Sequence, residues 1–138
     1  MEVTAYLNFN GKCAEAFKFY ERVLGGKIGM MHTFGGSPMA ADAPPGWGDR
    51  IMHVSMTIGN SVLMGSDAPT ENYEKPQGFA ISAQVATPAE GERVFKALAE
   101  GGTVTMPFQS TFWSAGFGAL VDRYGTPWMV NTDQTPQG

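Results

Sequence analysis

The sequence predicts an α+β protein built from two modules with the same order of elements, strand–helix–strand–strand–strand (βαβββ). The first observation is a repeated pattern: residues 14–30 and 89–106 each give a helix, a Gly-Gly pair and a strand containing Met. The second is that the turn and strand at 58–67 are matched by 124–133, at an offset of 66. Two matches in the same order indicate an internal duplication.

Module one begins with a predicted strand of β-forming residues, followed by a helix with apolar residues at i, i+3 and i+7. A glycine pair ends the helix, because glycine accepts the left-handed conformation beyond a helix C-terminus. A strand, a long loop rich in proline and glycine, and two strands joined by a Gly-Asn hairpin turn complete the module. These elements are predicted at 3–9, 12–24, 27–34, 35–49, 50–58 and 61–66.

Module two repeats the plan, and its helix has the clearest start in the chain. Thr87 and Glu90 form a capping box, with Pro88 at the first helical position. The elements are predicted at 78–86, 88–99, 103–107, 112–122 and 126–131. Within a single domain of 1–138, module one covers about 1–67, a polar linker 68–77, module two about 78–133 and a polar tail 134–138.

The composition excludes several classes of function. The net charge is −4 and the nine Lys and Arg residues are scattered, which argues against nucleic-acid binding. No apolar run approaches the roughly 20 residues that span a bilayer, so we expect no membrane partner. Cys13 is the only cysteine, and its place at a helix start without a neighbouring histidine predicts a passive thiol. With no leader-like N-terminus, we expect a cytoplasmic protein.

A family likeness runs in order along nearly the whole chain. It is carried by YLNFNG at 6–11, FY at 19–20 with LG at 24–25, His53 with LMGSD at 63–67, TFW at 111–113 with GFG at 116–118, and DRYGTPWM at 122–129. With the doubled βαβββ order, these segments resemble the vicinal-oxygen-chelate superfamily of glyoxalase I, bleomycin-resistance proteins and extradiol dioxygenases. Within it, the chain is most similar to the PhnB-like branch.

The resemblance implies curved mixed sheets that form a cleft, commonly in a homodimer, and in the enzymes a divalent metal held by His and Glu. Those ligands lie on the first and last strands of the modules and point into the cleft. The matching positions here are Met129, its offset counterpart Leu63, and Ala5 with its counterpart Ala80. All four are apolar, and residues one position away include no His, Asp or Glu. Metal sites need N, O or S donors, so we expect no metal and no cofactor.

Two histidines are candidates for polar chemistry. Alternation along 50–58 puts His53 and Ser55 on the face towards the cleft, where His53 could act as a general base or bind a polar ligand group. The alternative is a histidine satisfied by a neighbouring side chain. His32 lies just before the long loop at 35–49 and is predicted to be structural or exposed.

Apolar side chains are the predicted walls of the binding site, with core packing or a dimer contact as the alternative. Alternation predicts that Phe112 and Trp113, at the start of a long strand, point to opposite faces. Gly116 and Gly118 are expected to leave one face bare, so that a ligand or backbone can approach. The predicted ligand-binding residues are His53, Ser55, Trp113, Phe117, Trp128 and Met129.

Two further residues have structural interpretations. Trp47, in the loop at 35–49, is predicted to be a lid over the cleft mouth or an interface anchor. Asp122 is expected to shape its turn through hydrogen bonds from its side chain to the backbone.

The leading functional hypothesis is a metal-free glyoxalase/bleomycin-resistance-like protein that binds a small apolar or aromatic molecule in the cleft between the modules. One alternative is a PhnB-like lyase, isomerase or dioxygenase that uses His53 or a metal bound elsewhere. The other is a dimeric structural or interaction protein. Whether the protein is an enzyme stays open at this point.

Overall fold

The computed structural model describes residues 1–38, 40–68, 71 and 73–132. The chain divides into two compact units, Met1–Glu74 and Lys75–Gly138. Each contains one α-helix and one mixed four-stranded sheet, so the predicted α+β fold with two βαβββ modules is confirmed. The predicted tail at 134–138, Asp133 of the second repeat and part of the predicted linker (Pro69, Thr70 and Asn72) lie outside the described residues.

Module one follows the predicted order closely. Its four strands lie in the order first, fourth, third, second, with the first parallel to the fourth and the other neighbours antiparallel. A short 3-10 helix at Ala40–Asp42 lies in the predicted loop. The elements are β1 Ala5–Phe9, α1 Cys13–Leu24, β2 Lys27–Thr33, β3 Ile51–Ile58 and β4 Ser61–Asp67.

Module two has the same topology. Its four strands lie in the same order, with the first strand of the module parallel to the fourth and antiparallel pairing elsewhere. The elements are β5 Ile81–Val85, α2 Pro88–Ala99, β6 Thr103–Gln109, β7 Phe117–Val121 and β8 Pro127–Thr132.

The helix ends are set by the residues that the sequence singles out. Gly25 follows α1 with a φ of 70°, in the left-handed region that glycine adopts at low cost. Thr87 caps α2, because its Oγ1 accepts the backbone N–H of Glu90 at 3.2 Å. The carboxylate of Glu90 pairs with the guanidinium of Arg93 at 3.0 Å.

Each helix covers one face of the sheet in its own module, and a strand glycine permits the close approach. A Cβ added to Gly65 of β4 would lie 2.7 Å from Cε2 of Phe17, a buried residue of α1. A Cβ added to Gly118 of β7 would lie 2.7 Å from Cε2 of Phe95 of α2. Because side chains alternate across a strand, the residues next to Gly65 in β4 and next to Gly118 in β7 lie on the opposite face of each sheet. We call this opposite face the open face.

The expectation that Gly116 and Gly118 leave one face open to close approach is confirmed for the protein's own atoms and wrong for a ligand. The Phe108 ring approaches Gly116, just before β7, while the Phe95 ring and the Phe108 backbone approach Gly118 on the helix-covered face. The space that the missing side chains leave is therefore filled by the protein's own aromatic rings.

The strand predicted at 112–122 is present, but its predicted start is wrong, since β7 spans Phe117–Val121. Local hydrogen bonds fold the preceding residues into a turn: Thr111 N–H donates to the Ser114 carbonyl at 2.9 Å, and Ser114 N–H donates to Thr111 Oγ1 at 3.1 Å. Ser and Thr side chains compete with strand pairing in this way. Phe112 and Trp113 therefore lie in a turn, so the predicted strand alternation does not apply to them.

Replacement of Gly65 by Ala tests the packing of α1. We expect Gly65→Ala to lower the free energy of unfolding by about 1–3 kcal/mol, because the new methyl group meets Phe17 and the Leu7 carbonyl oxygen. Urea unfolding measures the loss. Gly48→Ala is the control, since a Cβ there has no atom within 4 Å and its φ is not positive. Equal stability of the two variants would contradict the packing described.

Candidate functional site

The open face of module one carries a row of four side chains, one from each strand. The strand registers place Tyr6 beside Met64, Met64 beside Ser55, and Ser55 beside Met30. Tyr6 and Met30 are exposed, whereas Met64 and Ser55 are half-buried. The predicted site residue Ser55 therefore lies on this face, in the middle of the row.

His53 lies on the same face as Ser55, and one of its two ring nitrogens is hydrogen-bonded to the neighbouring Tyr6. The Tyr6 hydroxyl and His53 Nδ1 are hydrogen-bonded at 3.2 Å, and the two rings stack with centroids 5.8 Å apart. When the Tyr6 O–H donates to Nδ1, the neutral imidazole carries its proton on Nε2. That N–H can then donate to a ligand. His32 is paired with His53 across β2 and β3 and is exposed, as predicted.

The open face of module two has a corresponding row. Ser82 lies beside Met129, Met129 beside Ala119, and Ala119 beside Met106. A second row on the same face consists of Gln84, Asn131, Phe117 and Gln109. None of these eight side chains is charged, so this face suits neutral ligands. The predicted site residues Phe117 and Met129 both lie on it.

The two rows show which residues of the duplication correspond. Methionine occupies the same two strand positions in both sheets, Met64 with Met129 and Met30 with Met106. The offset in the last strand is therefore 65, and the predicted counterpart of Met129, Leu63, is wrong. Leu63 lies on the helix-covered face at 4% exposure, whereas Met129 is 38% exposed on the open face.

An aromatic cluster continues the open face of module two towards the turn before β7. The Trp113 ring contacts the Phe117 ring edge to face with centroids 5.3 Å apart, and the Phe112 ring contacts Trp113 at 4.8 Å. Phe112 is 92% exposed and Trp113 is about half exposed. The turn thus presents two aromatic rings beside the sheet, a geometry that suits contact with a planar ligand.

Trp128 does not lie on the open face, so its predicted role as a wall of the site is wrong. It is only 2% exposed, on the helix-covered face of β8. Its indole N–H donates to Asp122 Oδ2 at 2.9 Å. Asp122 Oδ1 also accepts the backbone N–H groups of Tyr124 and Thr126, at 2.8 and 3.0 Å. Asp122 therefore shapes the turn as predicted.

Trp47 is part of the module-one core, at 7% exposure. Its ring contacts Phe34 at a centroid distance of 5.4 Å, and the guanidinium carbon of Arg50 lies 4.2 Å from its ring centroid. The aromatic contact and the cation–π contact hold Trp47 against its own module. The expectation that Trp47 is a lid or an interface anchor is therefore wrong.

Asp67, at the end of β4, organises the first turn of α1. Its Oδ1 accepts the backbone N–H groups of Gly11 and Cys13, at 2.8 and 3.1 Å, and its Oδ2 accepts that of Ile51 at 2.9 Å. Cys13 is fully buried, and this burial raises the pKa of its thiol, with the Asp67 charge as a second cause. These conditions oppose formation of the thiolate and agree with the predicted passive role.

The open-face residues do not fit the metal site that the superfamily resemblance implies. At the predicted ligand row, the first and last strands of each sheet carry Tyr6 with Met64 in module one and Ser82 with Met129 in module two. The second row of module two adds only the neutral amides of Gln84 and Asn131 on these strands. Phenol, hydroxyl and thioether groups lack the imidazole and carboxylate donors of such sites. Within the described residues, no group of three or more His, Cys, Asp and Glu side chains is arranged to hold a metal ion.

Comparison with known proteins places the chain in a family. A family model described as 3-demethylubiquinone-9 3-methyltransferase matches residues 1–131. The chain belongs to this family. Protein YjdN of Escherichia coli (strain K12) is 34% identical to it over 139 residues, covering 95% of each chain. The predicted PhnB-like membership is thereby confirmed.

Three solved structures have the same fold as this chain. Protein PA1353 from Pseudomonas aeruginosa is 47% identical, with a TM-score of 0.89 over 97% of this chain and 98% of that one. The PhnB protein from Bacillus cereus is 26% identical, with a TM-score of 0.81 and coverage of 96% and 99%. A glyoxalase/bleomycin resistance protein/dioxygenase family enzyme from Burkholderia phytofirmans PsJN shares the fold, with a TM-score of 0.65 at 14% identity and coverage of 95% and 97%.

Neither α1 nor α2, nor any other helix in the described part of the chain, has the length and apolarity to cross a membrane.

Chemical labelling tests whether the Cys13 thiol is inaccessible in the folded protein. We expect iodoacetamide at neutral pH to leave Cys13 unmodified in the folded protein, because the thiol is inaccessible and its pKa is raised. Labelling should become rapid in urea. Mass spectrometry of both samples measures the modified fraction, and rapid labelling of the folded protein would contradict the description.

Proposed function

We propose that the protein binds a small, largely apolar or aromatic molecule against the open faces of its sheets, without a metal ion. The observation that carries the proposal is the occurrence of methionine at the same two positions in both sheets, Met30 with Met106 and Met64 with Met129. Methionine adapts to irregular apolar surfaces and makes favourable sulfur contacts with aromatic rings.

The expected affinity follows from the area that such a ligand can bury. A two-ring aromatic compound that loses about 200 Å² of apolar surface gains about 5 kcal/mol before the costs of association are subtracted. Converted in full, this gain would correspond to a dissociation constant of about 0.2 mM. The costs of association reduce it, so we expect a probe compound to bind in the millimolar range. The natural ligand would bind more tightly through additional apolar area and polar contacts.

The polar contact in this proposal comes from His53. Its hydrogen bond and ring stacking with Tyr6 fix the orientation of the imidazole, so little side-chain entropy is lost on binding. Ser55 lies two residues further along the same face of β3 and offers a hydroxyl. The open face of module one therefore carries oriented polar groups beside its methionines.

We do not extend to this chain the methyl-transfer activity that the family description names. In nucleotide-binding α/β proteins, the first strand-to-helix turn holds the anionic cofactor with backbone N–H groups. At the equivalent turn here, the N–H groups of Gly11 and Cys13 are already bonded to the Asp67 carboxylate. The turn therefore lacks those free donors for a cofactor of this kind.

The Tyr6–His53 hydrogen bond also favours a second candidate, an enzyme in which His53 transfers a proton. An oriented imidazole on an open face is a common arrangement for a general acid or base. The homodimer and the cytoplasmic location stay predictions, as does the third alternative, a structural or interaction protein.

Replacement of His53 tests the proposed binding. The probe is 2-methoxynaphthalene, whose ether oxygen can accept a hydrogen bond, titrated in chelating buffer and followed by NMR of ¹³C-labelled methionine methyl groups. We expect the signals of Met64, Met30, Met129 or Met106 to shift with saturation. We expect His53→Ala to weaken binding about threefold to tenfold, the effect of one lost hydrogen bond, and to leave the fold intact.

The matched control is His32→Ala, which removes the neighbouring exposed histidine of the same face and should leave the affinity unchanged. Equal affinity of wild type and His53→Ala would contradict the role of His53. Absence of saturable binding by the wild type, or a stoichiometric divalent metal that chelation removes together with binding, would overturn the proposed function.

A further inference from the structure

One polar atom on the open face of module two lacks a partner. Asn131 of β8 donates its Nδ2 to Gln84 Oε1 at 3.0 Å. Its carbonyl oxygen, Oδ1, is buried and has no hydrogen-bond partner among the residues that the structure describes. A buried acceptor left without a donor costs about 1–3 kcal/mol. A ligand with a hydrogen-bond donor at this point would recover that cost.

The surroundings of Asn131 suggest what kind of ligand carries the donor. Phe117 lies directly beside Asn131 across β7 and β8, and its ring contacts Trp113. Met129 lies two residues earlier on the same face of β8. Aromatic rings and a thioether therefore surround one amide acceptor, and no charged residue belongs to the two rows of this face.

We propose that Asn131 is the residue that selects the ligand: it accepts a hydrogen bond from an N–H or O–H group on a neutral, planar aromatic molecule that packs against Phe117, Trp113 and Met129. This inference rests on the proposed function and gives it a specific ligand chemistry, a phenol or an N–H heterocycle. The ring supplies the apolar area, and the single donor supplies the orientation.

Access to Oδ1 requires movement of a neighbouring side chain, because the atom is shielded. Phe112 and Trp113 are exposed aromatic residues in the turn before β7, and not in a paired strand, so their rings are available to stack on the ligand.

A matched pair of probes tests the selection. The donor 2-naphthol and its methyl ether, 2-methoxynaphthalene, differ at one oxygen, which is neutral in both at pH 7. We expect the wild type to bind 2-naphthol about threefold to tenfold more tightly, as measured from the shifts of the Met129 methyl signal. In Asn131→Leu, which keeps the approximate size but removes the acceptor, both probes should bind with the affinity of the ether.

Two more variants complete the experiment. Gln84→Leu removes the neighbouring amide but leaves Asn131 Oδ1 in place, so the preference for 2-naphthol should persist. Asn131→Asp places a carboxylate, a stronger acceptor, at the same point and should increase the preference for 2-naphthol, which provides a test if Asn131→Leu does not fold. An unchanged preference in Asn131→Asp would overturn the inference.

The outcomes separate the two proposals. Equal binding of the two probes to the wild type would overturn the role of Asn131 while leaving the proposed function standing, and it would indicate that water satisfies Oδ1. A preference that survives in Asn131→Leu would assign the selection to another residue and would also overturn the inference. Failure of both probes to bind would overturn the proposed function itself.

Discussion

The Asp67 carboxylate is the interaction on which the arrangement of module one depends. It lies at the end of β4 and holds the turn after β1, the first residue of α1 and the first residue of β3 through three backbone N–H groups. Hydrogen bonds to a buried carboxylate are about twice as strong as neutral ones. Because they fix α1 against one face of the sheet, the side chains of the other face are left for binding.

Module two uses different residues at the end of its last strand. At the corrected offset of 65, the counterpart of Asp67 is Thr132, which is also buried at the end of its strand. Thr132 Oγ1 is hydrogen-bonded to Ser114 Oγ at 3.2 Å, and Ser114 Oγ donates to the Gly116 carbonyl at 2.8 Å. These two hydroxyl groups connect the end of β8 to the residues before β7, which corresponds to the connection that Asp67 makes to the start of β3. Divergence at this point left the topology of the duplicated sheet unchanged.

On the open faces, both modules have methionine at the same two positions, whereas the other two positions of the row differ. Tyr6 corresponds to Ser82, and Ser55 corresponds to Ala119. Module one consequently has the oriented His53, whereas module two has aromatic rings around a single amide. The two open faces therefore offer different chemistry, each within its own module.

The fold could be predicted from sequence because its local signals agree with its topology. Gly25 ends one helix and Thr87 starts the other, as their conformational preferences require. The start of the strand predicted at 112–122 was wrong because Phe112 and Trp113 have high β propensity. The hydrogen bonds between Thr111 and Ser114 fold these residues into a turn instead. The Ser and Thr residues around this point were the available signal for a turn.

The candidate site was predicted less completely, because it depends on register. The hairpin turn between β3 and β4 holds two residues, whereas β7 and β8 are joined through the longer turn that Asp122 shapes. When the two turns are aligned by their glycines, Met129 is matched to Leu63, one residue away from its true counterpart Met64. A shift of one residue in a strand moves the side chain to the other face. Asn131 was missed because an unpaired amide oxygen is a property of three-dimensional contacts and leaves no pattern in the sequence.

The central claim is that recognition proceeds by burial of apolar surface without a metal ion. The most direct measurement is the heat-capacity change of binding, obtained by calorimetric titration of 2-naphthol at several temperatures with and without chelator. Apolar burial gives a negative heat-capacity change. The account predicts a clearly negative value that chelation does not alter. A value near zero, or binding that disappears with the chelator, would contradict it.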